Sequence, residues 1–375
     1  MILVSPDPVR ALILTPGLDG ADGIASESRQ TVRALARCAE RVEVWALAGG
    51  EPAWDPPLAR PISFRSARGS RVTFLRWTLA RLWRPADDLL VVAAHVQLAP
   101  PAAIIGLRGA RTLVYLNGVE AWRPLRMRER LALGRVQRLL AISAHTARRF
   151  RDSHPELGDR PITICHLGVP APPARTIRPH IAGYALIVGR LAAVERYKGH
   201  DVLLDIWADV CARAPDAALV VVGDGDDRPR LERVTAERGL TGRVRFTGRV
   251  PDEELAGLYQ AAAVFVMPST EEGFGLVYLE AMRSGIPCVS VHGPADEFIE
   301  SGENGVVVDA GARGALIDAL VLLLTDGEMR ARMGAAAAAR VADEFSEEAF
   351  ERRLLRALEL VPTEDATGAR GTGCS

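Results

Sequence analysis

The sequence predicts an α/β protein built from two doubly wound, Rossmann-like domains, and three observations predict it. Short apolar runs recur along the chain with helix-like segments between most of them, the signature of strands laid into a parallel sheet that helices cover on both faces. The alternation is interrupted once, by a proline-rich stretch without apolar periodicity, and then resumes. At 375 residues the chain also has room for two cores of about 150 to 200 residues each.

The first block opens with the run Ala11 to Thr15, the Gly/Asp-rich stretch Pro16 to Gly23 and a helical pattern from about Ala25 to Ala39. Val42 to Leu47, Leu89 to Ala94, Thr112 to Leu116, Leu139 to Ile142 and Ile162 to Cys165 repeat the strand signal. Gly168 to His180 holds Pro170, Pro172, Pro173 and Pro179 and reads as the linker. The second block runs through Tyr184 to Val188, Ala218 to Val222, Val244 to Phe246, Val264 to Val266, Cys288 to Val291 and Gly305 to Val308. The expected domains are therefore 1–172, a linker at 173–182, and 183–345. An amphipathic helix at 346–361 either stays with the second domain or crosses back to the first, and 362–375 reads as a disordered tail.

Composition excludes several classes. Charged residues make up 25% and no window approaches the roughly 20 uncharged apolar residues of a membrane span. The start, Met-Ile-Leu-Val-Ser-Pro-Asp, lacks the basic and long apolar regions of a signal peptide, so the cytoplasm is the expected compartment. Five scattered cysteines never form Cys-x-x-Cys, and the histidines form neither His-x-x-x-His nor His-Glu-x-x-His, so neither a disulfide framework nor a metal site is expected.

The net charge of −1 hides an asymmetry: residues 1–178 carry 26 basic and 15 acidic side chains, a balance of +11, against −12 for the remainder. A basic half suggests an anionic partner, with drift in an arginine-rich composition as the plain alternative. Nucleic acid is not expected, because no recognition module accompanies the charge. Lys198 is the single lysine among 46 basic residues, which marks it for a role that wants a compact ammonium.

The second block carries the informative motifs. Gly189-Arg190 closes a strand and Lys198-Gly199 opens the next helix, so both cations are placed to meet one anion near a helix N-terminus, unless they form an ordinary solvated loop. Between the strand ending at Met267 and a helix starting at about Leu276 lies Pro-Ser-Thr-Glu-Glu272-Gly-Phe274-Gly275. Its glycines let backbone N–H groups approach a ligand, and Glu272 and Glu280 are spaced to touch two parts of one extended molecule. Carboxylates accepting from vicinal hydroxyls hold ribose and sugar rings. The plain alternative is a cap and a surface ion pair.

Taken in order, Gly189-Arg190, Lys198-Gly199, Val222-Gly-Asp-Gly225, Phe246-Thr-Gly-Arg249-Val250, Glu272-Gly-Phe-Gly, Glu280-Ala-Met, Gly285-Ile-Pro287, Asp296-Glu297 and Gly302-Glu-Asn-Gly305 resemble the donor domain of glycosyltransferase family 4. The resemblance implies the GT-B architecture, two Rossmann-like domains facing across a cleft. It further implies a nucleotide-diphosphate sugar (UDP- or GDP-linked) as co-substrate, retention of anomeric configuration, and no metal or other cofactor. By the same resemblance Arg190 and Lys198 neutralise the diphosphate and Glu272 binds the sugar beneath its anomeric carbon, these three being the catalytic set. The main-chain N–H groups of Phe274, Gly275 and Leu276 support sugar or phosphate, Glu280 holds the ribose, and Arg249 and Val250 meet the base through their main chain. Gly23 matches the family's glycine loop beside the diphosphate.

The acceptor side departs from that pattern. Asn117-Gly118-Val119-Glu120 stands where the family usually shows His-Gly-x-Glu, and an amide cannot act as a base. His95, at the end of an apolar strand, either fills that space or is structural. The stretch 65–84 offers Val72, Leu75, Leu79 and Leu82 on one helical face among six arginines, with Trp77 and Trp83 beside them. It is either a core helix with a wet edge or a contact with an anionic membrane, which would put the protein at the inner face of the plasma membrane. The expected function is thus a retaining hexosyltransferase acting on a glycolipid, polysaccharide precursor or small-molecule glycoside. The competitors are a degenerate nucleotide-sugar-binding member and a nucleotide-sugar epimerase of the same architecture. A dinucleotide dehydrogenase would want Gly-x-Gly-x-x-Gly after its first strand, which Gly17 to Gly23 does not supply.

Overall fold

A computed structural model describes residues 9–20, 22–171 and 183–360. The linker expected at 173–182 and the tail expected at 362–375 lie outside the described residues. The chain divides into two compact units, one formed by residues up to Gly168 together with those from Glu347 onward, the other by Val169–Ser346.

The first unit is a seven-stranded sheet, all parallel: β1 (Arg10–Thr15), β2 (Arg41–Ala46), β3 (Ser63–Ser66), β4 (Leu89–Ala93), β5 (Arg111–Leu116), β6 (Arg138–Ala141) and β7 (Ile162–Ile164), in the order 3-2-1-4-5-6-7. Every residue of β4 is buried, as a central parallel strand covered on both faces must be. Removing one such side chain, Leu90→Ala for example, costs about 2–5 kcal/mol. The helix Glu347–Ala357 belongs to this unit and packs on the helix Gly23–Cys38, where Arg37 pairs with Glu351.

Two local features of this unit differ from the sequence reading. β3 was not expected, because Ser-Phe-Arg-Ser is an edge strand whose half-buried residues need no apolar run. The stretch 65–84 is correspondingly not one helix: Arg65 lies in β3, and the Ser70 side chain caps a helix Arg71–Arg81 by accepting from the Thr73 N–H at 3.2 Å. That helix turns Phe74, Thr78 and Arg81 inward and leaves Val72, Leu75 and Leu79 exposed. Aromatic packing decides the rotation, since Trp45 of β2 takes Phe74 and Trp77 against it with centroids 6.1 and 5.8 Å away.

The second unit is a six-stranded parallel sheet: β8 (Ala185–Val188), β9 (Leu219–Val222), β10 (Val244–Gly248), β11 (Val264–Met267), β12 (Cys288–Val291) and β13 (Gly305–Val308), in the order 10-9-8-11-12-13. Both sheets are doubly wound, and each reverses its strand order once, at β1/β4 and at β8/β11. Open α/β sheets bind ligands outside the carboxyl ends of the strands at such reversals. Among the described residues no helix is long and apolar enough to cross a membrane.

Candidate functional site

The reversal in the second unit brings the loop after β8 beside the loop after β11. At that point the Lys198 ammonium lies 3.4 Å from the Glu272 carboxylate, with both side chains largely shielded from water. A second contact ties the loops together, the Thr270 N–H donating to the Tyr197 carbonyl at 3.0 Å. Gly199 permits the approach: its φ is +87°, and a Cβ there would sit 2.6 Å from Pro268. The Tyr197 ring lies under the Lys198 ammonium at 5.9 Å, and burial, aided by Glu195 and Glu272, pushes its phenol up to about 12.

The loop carrying Lys198 is held from behind by charge pairs. Arg196 donates to Asp227 at 2.9 and 3.2 Å, and Arg230 forks onto Asp201 with two contacts of 2.7 Å while also reaching Asp227. Hydrogen bonds from Arg230 hold the buried Asp227 carboxyl well below the usual carboxylate range, with Arg196 adding to the effect. The Gly-Asp-Gly turn after β9 completes the floor. A Cβ on Gly223 would fall 1.9 Å from the Gly189 carbonyl oxygen, so only glycine lets this turn close on the end of β8. Asp226 accepts from the Ala193 N–H at 2.9 Å and Asp224 from the Gly225 N–H at 2.8 Å, so these carboxylates shape the loop.

Arg190 leaves the same strand end; its side chain is largely exposed and pairs with the buried Glu195. Gly275, at φ +93°, starts the helix Leu276–Arg283 without a side-chain cap, and of the first-turn N–H groups that of Tyr278 donates to the Gly275 carbonyl at 3.0 Å. Phe274 is buried against Phe298 and Phe345, so its side chain packs inside the unit. Glu280 lies on that helix and accepts from the buried Tyr259 hydroxyl at 2.9 Å; burial raises its carboxyl, against the opposing pull of Arg283. Arg249 is exposed and Val250 half-buried at the end of β10, with Gly248 bridged to Gly223. Glu195, Tyr197 and Tyr259 escaped the sequence reading, since nothing in local spacing points from Tyr259 to a residue 21 positions on.

In the first unit the remaining candidates gather at the carboxyl ends of β1, β4 and β5. Gly23 begins the helix Gly23–Cys38, capped by Asp22, which accepts from the Ala25 N–H at 2.9 Å. His95 follows β4; its Nδ1 accepts from the Gln97 N–H at 3.0 Å, so the ring proton sits on Nε2. Burial drives the imidazole down to about 4, with nearby Arg123 adding to it, and the ring is neutral. Asn117 follows β5 and donates from Nδ2 to the Ala94 carbonyl at 2.7 Å, next to His95, while its buried Oδ1 has no partner. Glu120 accepts from the Asn117 N–H at 2.8 Å, and burial raises its carboxyl.

Known proteins share sequence and fold with this chain. Residues 179–340 match the family model for glycosyl transferases group 1. The D-inositol 3-phosphate glycosyltransferase of Corynebacterium urealyticum is 36% identical over 192 residues, 49% of this chain and 45% of that protein. A GDP-mannose-dependent monoacylated alpha-(1-6)-phosphatidylinositol monomannoside mannosyltransferase of Corynebacterium glutamicum is 31% identical over 243 residues, 60% of this chain and 63% of that protein. The chain thus spans about half the length of the curated relatives it matches. Anabaena HepE, solved in complex with UDP, superimposes with a TM-score of 0.75 at 19% identity, covering 94% of this chain and 99% of that one. The chain therefore has the GT-B fold, and its residues 179–340 are similar to the glycosyl transferases group 1 family.

Proposed function

We propose that the protein is a retaining, metal-independent glycosyltransferase that moves a hexose from a UDP- or GDP-sugar to a hydroxyl of a glycolipid, polysaccharide precursor or small-molecule glycoside. The observation that carries this reading is the shielded Lys198–Glu272 pair at the β8/β11 reversal. One cation and one carboxylate in contact suit a molecule that is anionic at one end and rich in hydroxyls at the other. Lys198 meets the diphosphate and Glu272 the sugar hydroxyls, while the uncapped first turn after Gly275 adds N–H donors and Glu280, oriented by Tyr259, holds the ribose. Relatives that act on inositol phosphate and phosphatidylinositol mannoside, and a UDP-bound protein of the same fold, support the substrate classes.

In the transfer the bond from the anomeric carbon to the diphosphate breaks and a bond from that carbon to the acceptor oxygen forms on the same face. The acceptor proton passes to the departing phosphate oxygen. Lys198 stabilises the charge that grows on the diphosphate, a kind of electrostatic assistance often worth several kcal/mol. Neither Asn117 nor His95 supplies a competing base: Asn117 cannot accept a proton, and the accepting nitrogen of His95 is taken by the Gln97 N–H. Proton transfer to the leaving group fits that environment. The reading places the protein in the cytoplasm, at the inner face of the plasma membrane where lipid-linked acceptors are found.

The test is thermal stability against UDP, GDP, ADP and their sugar conjugates. A ligand at about 100 times its dissociation constant adds about 2.7 kcal/mol, or roughly 2 to 4 °C per kcal/mol for a chain of this size. One nucleotide family should shift the melting temperature selectively. Lys198→Ala should lose most of the shift with the nucleoside diphosphate and keep the response to the nucleoside. No shift with any nucleotide, or equal loss of both responses, overturns the assignment.

A further inference from the structure

Seven of the eleven large apolar side chains exposed among the described residues fall on three neighbouring helices of the first unit. The helix Arg71–Arg81 and the residues just after it expose Val72, Leu75, Leu79 and Trp83, the last at 89%. The helix Ala99–Gly106 packs beside it, carries no charged residue, and ends at Leu107, which is 70% exposed. The helix Met127–Leu133 packs on the other flank and exposes Met127 and Leu131.

The exposed charges carried by these helices are mostly basic, and the exposed acids Asp87 and Asp88 come just after Arg84, Asp88 pairing with Arg10. From Arg68 to Arg84 there are five arginines and no acid, and Arg71, Arg76 and Arg84 are exposed. Arg108 follows the middle helix, and Arg128 and Arg135 stand on the third helix and just beyond it, all three exposed. The one acid of the third helix, Glu129, is buried and paired with Arg123 at 3.1 Å. Arg130 pairs with Glu156 at 3.2 Å, but apolar side chains that project beyond a helix surface, flanked by Arg71, Arg76, Arg84, Arg108 and Arg128, match a layer that is anionic at its surface and hydrocarbon below. A protein partner would call for acids matched one by one to these arginines, and the uncharged middle helix gives such pairing no anchor.

We infer that the face formed by these three helices docks onto an anionic lipid bilayer, Trp83, Leu79 and Met127 entering the interface and the arginines meeting lipid phosphates. This deepens the proposed function and rests on it for its purpose, which is to hold the first unit where a lipid-linked acceptor hydroxyl can be reached.

The experiment is flotation of the full chain with vesicles of phosphatidylcholine alone and with added phosphatidylglycerol. Binding should be about tenfold stronger or more to the anionic vesicles, and high salt should weaken it. Leu75→Glu together with Trp83→Glu should abolish it, and Arg71→Gln with Arg76→Gln should weaken it on anionic vesicles alone. All four positions are exposed, so folding is checked by an unchanged melting temperature and an unchanged shift with nucleoside diphosphate. Wild-type protein that stays unbound with anionic vesicles overturns the inference. So does a face whose glutamate variants dissolve a dimer while vesicle binding persists. Nucleotide shifts read the donor site separately, so a soluble transferase and a membrane-bound protein without donor binding are distinguishable.

Discussion

Glu272 and Lys198 stand 74 positions apart and meet at 3.4 Å, so each is the other's nearest test. If Glu272 contacts the sugar, Glu272→Gln keeps the shape, loses the charge, and should lower kcat by about 100-fold or more while changing nucleoside diphosphate affinity little. Steady-state kinetics with a calorimetric Kd checks it, and wild-type turnover removes Glu272 from the chemistry. Lys198 was legible as the single lysine, and Glu272 from its place in a glycine-rich turn. The support of Glu280 by Tyr259 was not legible, because it depends on which helices the sheet brings together, and the pairing of Arg190 with Glu195 depends on how the one loop that carries both is turned.

The helix Gly23–Cys38 shows what a single element hides from its sequence. Glu27 looks like an ordinary solvent-facing acid, yet it is wholly buried, accepting from the Thr31 hydroxyl at 2.8 Å. Burial pushes its carboxyl up to about 8, so the folded protein holds a proton there that the unfolded chain releases above its ordinary value near 4.5. Its contribution is therefore fully present below about pH 4.5 and is lost as the pH rises through about 8, with a slope of about 1.4 kcal/mol per pH unit between. Glu27→Gln should flatten the fall of melting temperature between pH 5 and 8 and raise it at pH 8, as seen by calorimetry across that range. An unchanged profile means that the carboxyl is ionised in the folded state. The helix Arg71–Arg81 makes the same point with apolar residues. Its Val/Leu stripe was legible, but the aromatic grip of Trp45 turned that stripe outward.

At the scale of the whole molecule, the proposed reaction draws its charge stabilisation from Lys198 and backbone N–H groups. Chelator should accordingly leave the initial rate of sugar transfer within about twofold, and a strict demand for Mn or Mg would replace that mechanism. Flotation thus probes the helical face of the first unit, and nucleotide shifts and chelation probe the donor site of the second. The sequence by itself determined the α/β alternation and every strand of the second sheet, because its central strands are buried on both faces and must be written as runs of apolar residues, while the edge strand β10 still carries Val244 and Phe246. It also determined that Lys198 and Glu272 lie in turns just before helices, since glycines mark those places, and that Glu280 lies within the helix that follows Glu272. Only the tertiary structure decided the 10-9-8-11-12-13 order that sets the loops after β8 and β11 side by side, the edge strand β3, and the outward turn of the arginine-flanked helix. Strand order and helix rotation are settled by contacts between residues far apart in the chain, and local hydrophobic periodicity carries no record of which distant partner wins.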